Sequence, residues 1–279
     1  ISSHARRHLL PLGRWRWPAA ILVALLAAVL TVVPLALLVT GSVMSLFGFF
    51  TIEDPWTLGH WRAVFTDPTF IDSLWNTLRL SCASAILTAA LSFTVAYAIV
   101  HGPKVAARLL AATSWLPFTM PGVLFSLALF WLVIQVNRVV PVYGSTLVLA
   151  VAISLASVTV GVQLVRANLQ QISRDMEEAA WLSGASRARA VRSIVLPLVT
   201  RSLAVVAVMA FVAAARNISH LSLLVASNNR PIAILQLEYL QEGRYEAAAV
   251  VGVIVVALAV GAALIARRLG RGVVNRMSH

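Results

Sequence analysis

Residues 17–52 read WPAAILVALLAAVLTVVPLALLVTGSVMSLFGFFTI, a run of sequence without a single charged side chain. About 20 apolar residues are enough for a helix to cross the hydrocarbon core of a bilayer, so this run can span it. The rest of the chain agrees, because 60% of its 279 residues are hydrophobic and 11% are charged. Ordinary soluble domains have about a quarter of their residues charged. The sequence therefore predicts an integral membrane protein.

Five further apolar runs follow the first one. The six predicted spans lie at roughly 18–42, 74–100, 109–135, 145–165, 202–223 and 246–266. These runs are continuously apolar rather than alternating, which indicates helices and argues against the strands of a membrane barrel. We therefore expect an all-α polytopic fold, with a six-helix transmembrane domain at 18–266 between basic cytoplasmic tails at 1–17 and 267–279.

Three details within the spans carry structural expectations. Pro117 and Pro121 should kink the third span, which favours a place inside the bundle or along a cavity. The small residues Ala248 and Gly252 would let the sixth helix approach a neighbour closely. Arg79, near the start of the second span, is expected to snorkel towards the membrane surface.

The basic residues are distributed unequally between the two faces of the predicted membrane domain. With the N-terminus in the cytoplasm, sixteen Arg and Lys residues lie on the cytoplasmic side, and four lie on the other side, at Arg62, Arg138, Arg230 and Arg244. The positive-inside rule then places both termini in the cytoplasm. The net charge of +12 is therefore a signal of topology, and no nucleic-acid partner is expected.

The sequence lacks the residues that several kinds of site need: ATP-binding, metal-binding and protease sites. Lys104 is the only lysine and follows Pro103, whereas a Walker loop needs Gly before its Lys, so no ATP site of that kind is expected. The six histidines are scattered without other ligands at metal spacing. Ser219 and His220 are adjacent in sequence, which argues against a protease dyad. The one cysteine, Cys82, is interpreted as a packing residue. We expect no cofactor, no metal and no enzyme activity on this chain.

The polar segment at 166–201, between the fourth and fifth predicted spans, has the residues of a folded loop. Helix formers fill roughly 173–182, with carboxylates in the first turns, where they suit the positive end of the helix dipole. Gly184 should end this helix, and a second one from about Ser186 should lead to Pro197 at the start of the fifth span. Such a pair would project rigidly below the membrane; the alternative is an amphipathic element lying on lipid headgroups.

This segment resembles the EAA loop in permease subunits of ATP-binding-cassette importers. That pattern is Glu-Ala-Ala, three residues, Gly, nine residues and Ile-x-Leu-Pro, and the chain matches it at Glu178, Ala179, Ala180, Gly184, Ile194, Leu196 and Pro197. In that family a short helix of the loop sits in a cleft of a separate ATPase subunit and conveys its closure to the membrane helices. The resemblance implies that these residues, with Ala185 and Ser186, couple the chain to its ATPase.

The same resemblance implies the partners of a type I importer in a bacterial inner membrane, surrounded by lipid. Two ATP-binding subunits would carry ATP and Mg²⁺, and an extracytoplasmic binding protein would deliver the substrate. A second permease half would be identical, homologous or fused. The sequence begins at Ile1 rather than Met, which suits either trimming or a place within a longer polypeptide.

Residues of the membrane domain give a second, narrower resemblance. Pro121-Gly122, Arg216-Asn217 and the run at 242–245 are similar to the iron(III) branch of the family and its relatives for phosphonates, thiamine and polyamines. Iron(III) permeases usually place an acid beside that arginine, where this chain has Asn217. Iron(III) or another small polar solute is the expected cargo, with phosphonate, thiamine, polyamine or sugar as alternatives.

Arg216 falls inside the fifth predicted span. A guanidinium within the bilayer costs about 2.5–3.5 kcal/mol, so it should face the bundle, a partner or water. It would then line the translocation pathway together with Asn217, Thr119, Pro121 and Asn76; the alternatives are snorkelling or a salt bridge to a partner. A stand-alone secondary transporter or channel, the contrasting hypothesis, should carry ionisable coupling residues at the midplane, where this sequence offers Arg216 alone.

Overall fold

The computed structural model describes residues 13–172 and 175–276. Residues 1–12, which are most of the predicted N-terminal tail, and residues 173–174 and 277–279 lie outside that description. The described chain is mostly helix, which confirms the predicted all-α class; within it, a single bridge between Met44 and Trp56 is the only β pairing. The helices are α1 (Arg16–Val43), α2 (Gly59–Thr66), α3 (Pro68–His101), α4 (Lys104–Thr113), α5 (Leu116–Thr119), α6 (Gly122–Asn137), α7 (Thr146–Leu169), α8 (Asp175–Leu182), α9 (Arg187–Ala190), α10 (Leu196–Arg216), α11 (Ile232–Gln241) and α12 (Tyr245–Arg276), with a π-helical turn at Val191–Val195 between α9 and α10.

Five helices among the described residues are long and apolar enough to cross a bilayer. They are α1, α3, α7, α12 and the continuous helix that starts with α9 and ends with α10. Each corresponds to one of the predicted spans. Helix α12 continues beyond the sixth predicted span, 246–266, as far as Arg276. The first part of the expected C-terminal tail is therefore an extension of this helix.

The third predicted span, 109–135, is not a single kinked helix. It is divided into α4–α5 and α6, which are bent by 111° at the break, so six spans are reached only if this pair counts as one. Pro117 lies in the first turn of α5, and Pro121, which lacks an N–H group, immediately precedes α6. Met120 has extended backbone angles (φ −91°, ψ 134°), because a residue before proline is sterically disfavoured in the helical region. The two prolines therefore break the span instead of bending it.

The fifth span also differs from its predicted range, 202–223. Its helix ends at Arg216, because Asn217 has extended angles (φ −82°, ψ 121°) and its Oδ1 accepts a hydrogen bond from the His220 backbone N–H at 3.0 Å. Asparagine side chains favour such local bonds over a place in a helix. Arg216 thus lies at the end of its helix, and the segment between the fifth and sixth predicted spans contains the packed helix α11.

Helices α3, α7 and α10 form the centre of the bundle. The buried face of α3 carries small hydroxyl residues at intervals of three or four: Thr77, Ser81, Ser84, Thr88 and Ser92. A Cβ added to Gly161 of α7 would overlap the side chain of Ser92 and lie 3.0 Å from Cγ1 of Val206 on α10. Small residues of this kind permit the close helix contacts that hold membrane bundles together.

Helix α1 lies at the periphery and packs mainly against α12. Its most apolar stretch has no buried residue, as expected of a helix that faces lipid. An added Cβ on Gly252 of α12 would lie 3.0 Å from Cδ1 of Leu38, so the close approach predicted at Gly252 is confirmed. Cys82 is exposed on α3 and is not the packing residue that the sequence suggested.

Candidate coupling loop and translocation pathway

Helix α8 ends in a glycine turn, as the sequence predicts. Gly184 has φ +85°, its N–H donates to the carbonyl of Trp181 at 2.9 Å, and the N–H of Ala185 donates to Ala180 at 3.0 Å. This pair of bonds is a Schellman motif, which satisfies carbonyl groups left free at a helix end. Glycine adopts such a φ without the steric cost that a Cβ brings. The reversal of the chain after α8 therefore depends on Gly184.

The second part of the loop joins directly to the membrane. The hydroxyl of Ser186 caps α9 by accepting the N–H of Arg189 at 3.3 Å. The π-helical turn follows, with Ile194 half-buried within it, and Leu196 begins α10. Pro197 lies in the first turn of α10, inside a helix that runs without a stop from Arg187 to Arg216. The predicted second helix and the fifth span are therefore one helix.

One side of α8 is left open by the rest of the chain. Glu178, Ala179 and Ala180 belong to this helix, although the side chain of Glu178 lies outside the described part of the structure. Leu182 is 90% exposed, and the guanidinium of Arg187 lies 5.6 Å from the ring centroid of Trp181. The main contacts of α8 are with α9 and the π-helical turn. Among the described residues, α8 thus packs mainly on the part of the loop that follows it, which leaves side chains such as Leu182 open to a partner.

The break in the third span packs against the segment that follows α10. A Cβ added to Gly122 would lie 2.8 Å from Cβ of Ser219 and 3.0 Å from the ring of His220. Near this contact, the hydroxyl of Ser126 accepts the N–H of Leu223 at 3.3 Å. The absence of a side chain at Gly122 therefore lets two irregular segments meet inside a protein made mostly of helices.

Four of the five predicted pathway residues lie beside this contact. Thr119 and Pro121 are exposed at the break between α5 and α6. Asn217 caps the turn after α10, and Arg216 is exposed at the end of that helix, without an ion-pair partner among the described residues. Asn76 lies elsewhere, on the first turns of α3. Thr119 and Pro121 thus belong to one of the two segments that meet at Gly122, Arg216 and Asn217 lead into the other, and Asn76 belongs to α3.

Asn76 borders a cavity of 750 Å³ between the start of α3 and residues 227–230. Its Nδ2 donates to the carbonyls of Asn228 at 3.3 Å and Arg230 at 3.4 Å, which ties the two walls together. Arg79, which was expected to snorkel, also lines this cavity. Asn228 and Arg230 were not identified from the sequence as residues of a site. The run of polar residues before Pro231 was the feature that could have indicated them.

A polar cluster fixes the turn before α3. The hydroxyl of Tyr239 donates to Oδ2 of Asp67 at 2.9 Å, and Asp67 caps α3 by accepting the N–H of Thr69 at 2.8 Å. The guanidinium of Arg244 stacks on the Tyr239 ring at 4.3 Å. Burial, followed by the bond to Asp67, raises the pKa of Tyr239 to about 12. Burial works to raise the pKa of Asp67, but the bonds from Tyr239 and Thr69 outweigh it and hold that pKa below its usual value.

Comparison with known proteins gives a consistent set of similarities. The family described as the binding-protein-dependent transport system inner membrane component matches residues 89–275. The maltose/maltodextrin transport system permease protein MalG of Vibrio parahaemolyticus is 30% identical over 210 residues, covering 70% of this chain and 71% of that protein. MalG of Escherichia coli K12 is 31% identical over 175 residues, covering 62% and 59%.

Solved structures share the fold. A bacterial alginate ABC transporter, in complex with an alginate pentasaccharide-bound periplasmic protein, aligns with a TM-score of 0.75 at 17% identity, covering 94% of this chain and 96% of that one. An amino acid ABC transporter aligns with a TM-score of 0.56 at 16% identity, over 76% of this chain and 97% of that one. The similarity therefore extends over nearly all of the helices described above.

Proposed function

Because the chain belongs to the family of binding-protein-dependent transport system inner membrane components, the permease subunits of ATP-binding-cassette importers, we propose that it carries a sugar across the bacterial inner membrane. The family match over residues 89–275 is the observation that carries the permease assignment. The chain is a multi-pass permease and not an enzyme, because in this family ATP is hydrolysed on separate subunits.

The cargo is inferred from the maltose/maltodextrin permeases that the chain resembles. The motifs at Pro121-Gly122 and Arg216-Asn217 favoured iron(III), but Asn217 stands where iron(III) permeases usually have an acid. The permeases that are similar in sequence are those for maltose and maltodextrin, and sugar was already one of the alternatives that the sequence left open. An oligosaccharide therefore replaces iron(III) as the proposed cargo.

The coupling element of this permease is α8 with its turn at Gly184. Two ATPase subunits, which bind ATP and Mg²⁺, dock on the loop at 173–197 of this chain and of a second permease half. The open side of α8 and the exposed Leu182 support this placement, since they leave apolar and polar surface for a partner. Glu178 at the N-terminal part of α8 is suited to a basic group on the ATPase.

Movement of α8 can reach the membrane through a single rigid element. The helix from Arg187 to Arg216 has 30 residues and is about 45 Å long. Its far end turns at Asn217 into the segment that packs on Gly122 at the broken third span. A push on the loop is thus carried to the two irregular segments, and Arg216, Asn217, Thr119 and Pro121 line the pathway that they open and close. Substrate arrives there from an extracytoplasmic binding protein.

Purification and uptake together test this function. The tagged chain, purified from its own membrane, should bring down a subunit with a Walker loop. Vesicles that contain the complex should accumulate maltodextrin only when ATP and the binding protein are present. Uptake driven by an ion gradient without ATP would identify a stand-alone carrier instead. ATP-driven uptake of chelated iron(III) but not of sugar would keep the permease assignment and reject the proposed cargo.

A further inference from the structure

We propose that the cavity between residues 68–79 of α3 and residues 227–230 binds an acidic saccharide, with Arg79 holding a carboxylate of the sugar. This inference rests on the proposed function and narrows its cargo from sugars in general to oligosaccharides that contain uronic acids. We call this space the outer cavity.

The outer cavity has the size and rigidity of a ligand site. Its volume of 750 Å³ falls within the range of about 300–1,000 Å³ that small-molecule sites occupy. Its walls are joined by the two bonds of Asn76 and by a bond of 2.7 Å from the Ile232 N–H to the hydroxyl of Thr77. Arg230 is held in place by an ion pair of 3.0 Å with Glu238. A site that is already ordered loses less free energy when a ligand binds.

One face of α3 presents three kinds of chemistry to the outer cavity. Asp72, Trp75 and Arg79 recur at intervals of three and four residues, so they lie on the same face of the helix. Asp72 and Arg79 are about 10 Å apart along the helix axis, and Trp75, which is 55% exposed, lies between them. A carboxylate accepts bonds from sugar hydroxyls, an indole ring covers the apolar face of a sugar, and a guanidinium donates two parallel bonds to a carboxylate.

The lining holds one carboxylate, Asp72, about 10 Å from Arg79 along α3, so an acidic sugar is favoured over a neutral one where its carboxylate lies at Arg79. Arg230 has Glu238 as its partner, whereas Arg79 has no ion-pair partner within the described part of the chain. Hydrogen bonds between a guanidinium and a carboxylate are roughly twice as strong as those between neutral groups. A neutral sugar would use Arg79 only as an ordinary donor, and an acidic sugar would use its charge and its planar fork.

The position of the outer cavity also suits a substrate site. It lies at the N-terminal end of α3, the end opposite to His101, close to the extracytoplasmic side that the charge distribution predicts. Its second wall, at 227–230, follows along the chain from the turn that packs on Gly122. A sugar bound there would therefore contact residues that lie a few positions after that turn along the chain.

Binding to the purified complex in lipid nanodiscs tests the inference. We expect tetragalacturonate to bind at least tenfold more tightly than maltotetraose in a calorimetric titration, and added NaCl should weaken only the binding of tetragalacturonate. Arg79→Gln should raise the Kd of tetragalacturonate about tenfold or more and leave that of maltotetraose unchanged. Trp75→Leu should weaken the binding of both sugars. Arg62→Gln removes an exposed arginine that does not line the cavity and should change neither Kd.

Three results would overturn the inference: no binding of tetragalacturonate, equal binding of the two sugars, or an unchanged Kd in Arg79→Gln. The thermal midpoint of each variant checks that it is folded, and the salt dependence of the native protein needs no variant at all. If maltodextrin uptake is driven by ATP while tetragalacturonate does not bind, the proposed function stands and this inference fails. If Arg79-dependent binding is found without ATP-driven uptake of any sugar, this inference stands and the proposed function fails.

Discussion

The loop at 175–197 and the contact between Gly122 and residues 217–223 are both irregular breaks in a helical protein, yet only the first could be located from the sequence. The loop is determined locally: the glycine, the capping serine and the proline each act on backbone groups within a few residues. The contact at Gly122 joins segments about a hundred residues apart, such as Ser126 and Leu223, which are 97 residues apart. A sequence motif can describe a loop that is determined by neighbouring residues, whereas a contact between segments distant in sequence depends on how the helices pack.

The largest test of this comparison concerns which side of the membrane each region faces. The test uses a Cys82→Ala background, which removes the exposed native thiol. Single cysteines placed at Ser2, at the exposed Ala188 and at the exposed Glu242 should differ in whether a reagent outside the cell can label them. We expect an impermeant thiol reagent to label only the Glu242→Cys variant in intact cells, because the positive-inside rule places the other two in the cytoplasm. Labelling of Ala188→Cys and Glu242→Cys from the same side would contradict the topology.

The second test breaks the loop without touching the pathway. Gly184→Val should reduce ATPase co-purification and sugar uptake to near background, because a β-branched residue at φ +85° is strained and the turn that positions α8 is lost. Gly243→Val is the matched control, since Gly243 also has a positive φ, of 75°, and also has open space around it, but lies far from the loop. Equal loss of ATPase in both variants would point to general strain and not to coupling.

Several parts of the fold could be predicted because hydropathy and turn residues determine them directly. The apolar runs predicted the approximate positions of α1, α3, α7 and α12, and Gly184 predicted the end of α8. The third and fifth spans were wrong because hydropathy remains high across a break. Residues 217–224 are apolar enough to continue a helix, yet Asn217 turns the chain with a side-chain bond that periodicity does not reveal.

Of the two candidate sites, the coupling loop could be predicted from the sequence and the outer cavity could not. The residues of the EAA pattern in the loop are separated by fixed numbers of residues, so a sequence motif could identify them. The outer cavity depends on where residues 227–230 meet α3, and that meeting is made by Asn76 bonding to backbone carbonyls, which any sequence supplies. Asn76 was therefore recognised as a polar residue of the membrane domain, but its bonds to Asn228 and Arg230 could not be foreseen.

The third test breaks the pathway region while leaving the loop intact. Gly122→Val should destabilise the protein by about 1–3 kcal/mol, because the new side chain meets Ser219 and His220 at distances of 2.8–3.0 Å. Sugar uptake should fall severalfold while the ATPase still co-purifies. Gly261→Val, in α12 where nothing lies within 4 Å of an added Cβ, should change the thermal midpoint less. Loss of the ATPase in Gly122→Val would mean that the two regions are not separable.

The smallest expected effect concerns the polar cluster before α3. Tyr239→Phe should lower the free energy of unfolding by about 1–2 kcal/mol at pH 7, because Asp67 loses the hydroxyl that donates to it. The matched control is Tyr245→Phe, since the Tyr245 hydroxyl has no hydrogen-bond partner among the described residues. Thermal midpoints of both variants and the native protein, measured from pH 7 downwards, give the comparison.

The pH dependence of that difference follows from the lowered pKa of Asp67. A carboxyl whose pKa is lower in the folded protein stabilises the fold above the usual aspartate range, and this stabilisation is lost as the pH falls through the lowered pKa. The gap between native protein and Tyr239→Phe should therefore be full at pH 7 and shrink in acid. For Tyr239 the direction is opposite: its pKa is raised to about 12, so its contribution to stability is complete at neutral pH and is lost as the pH rises through that value. A gap that stayed constant from neutral to acid pH would show that Tyr239 acts on Asp67 by packing alone.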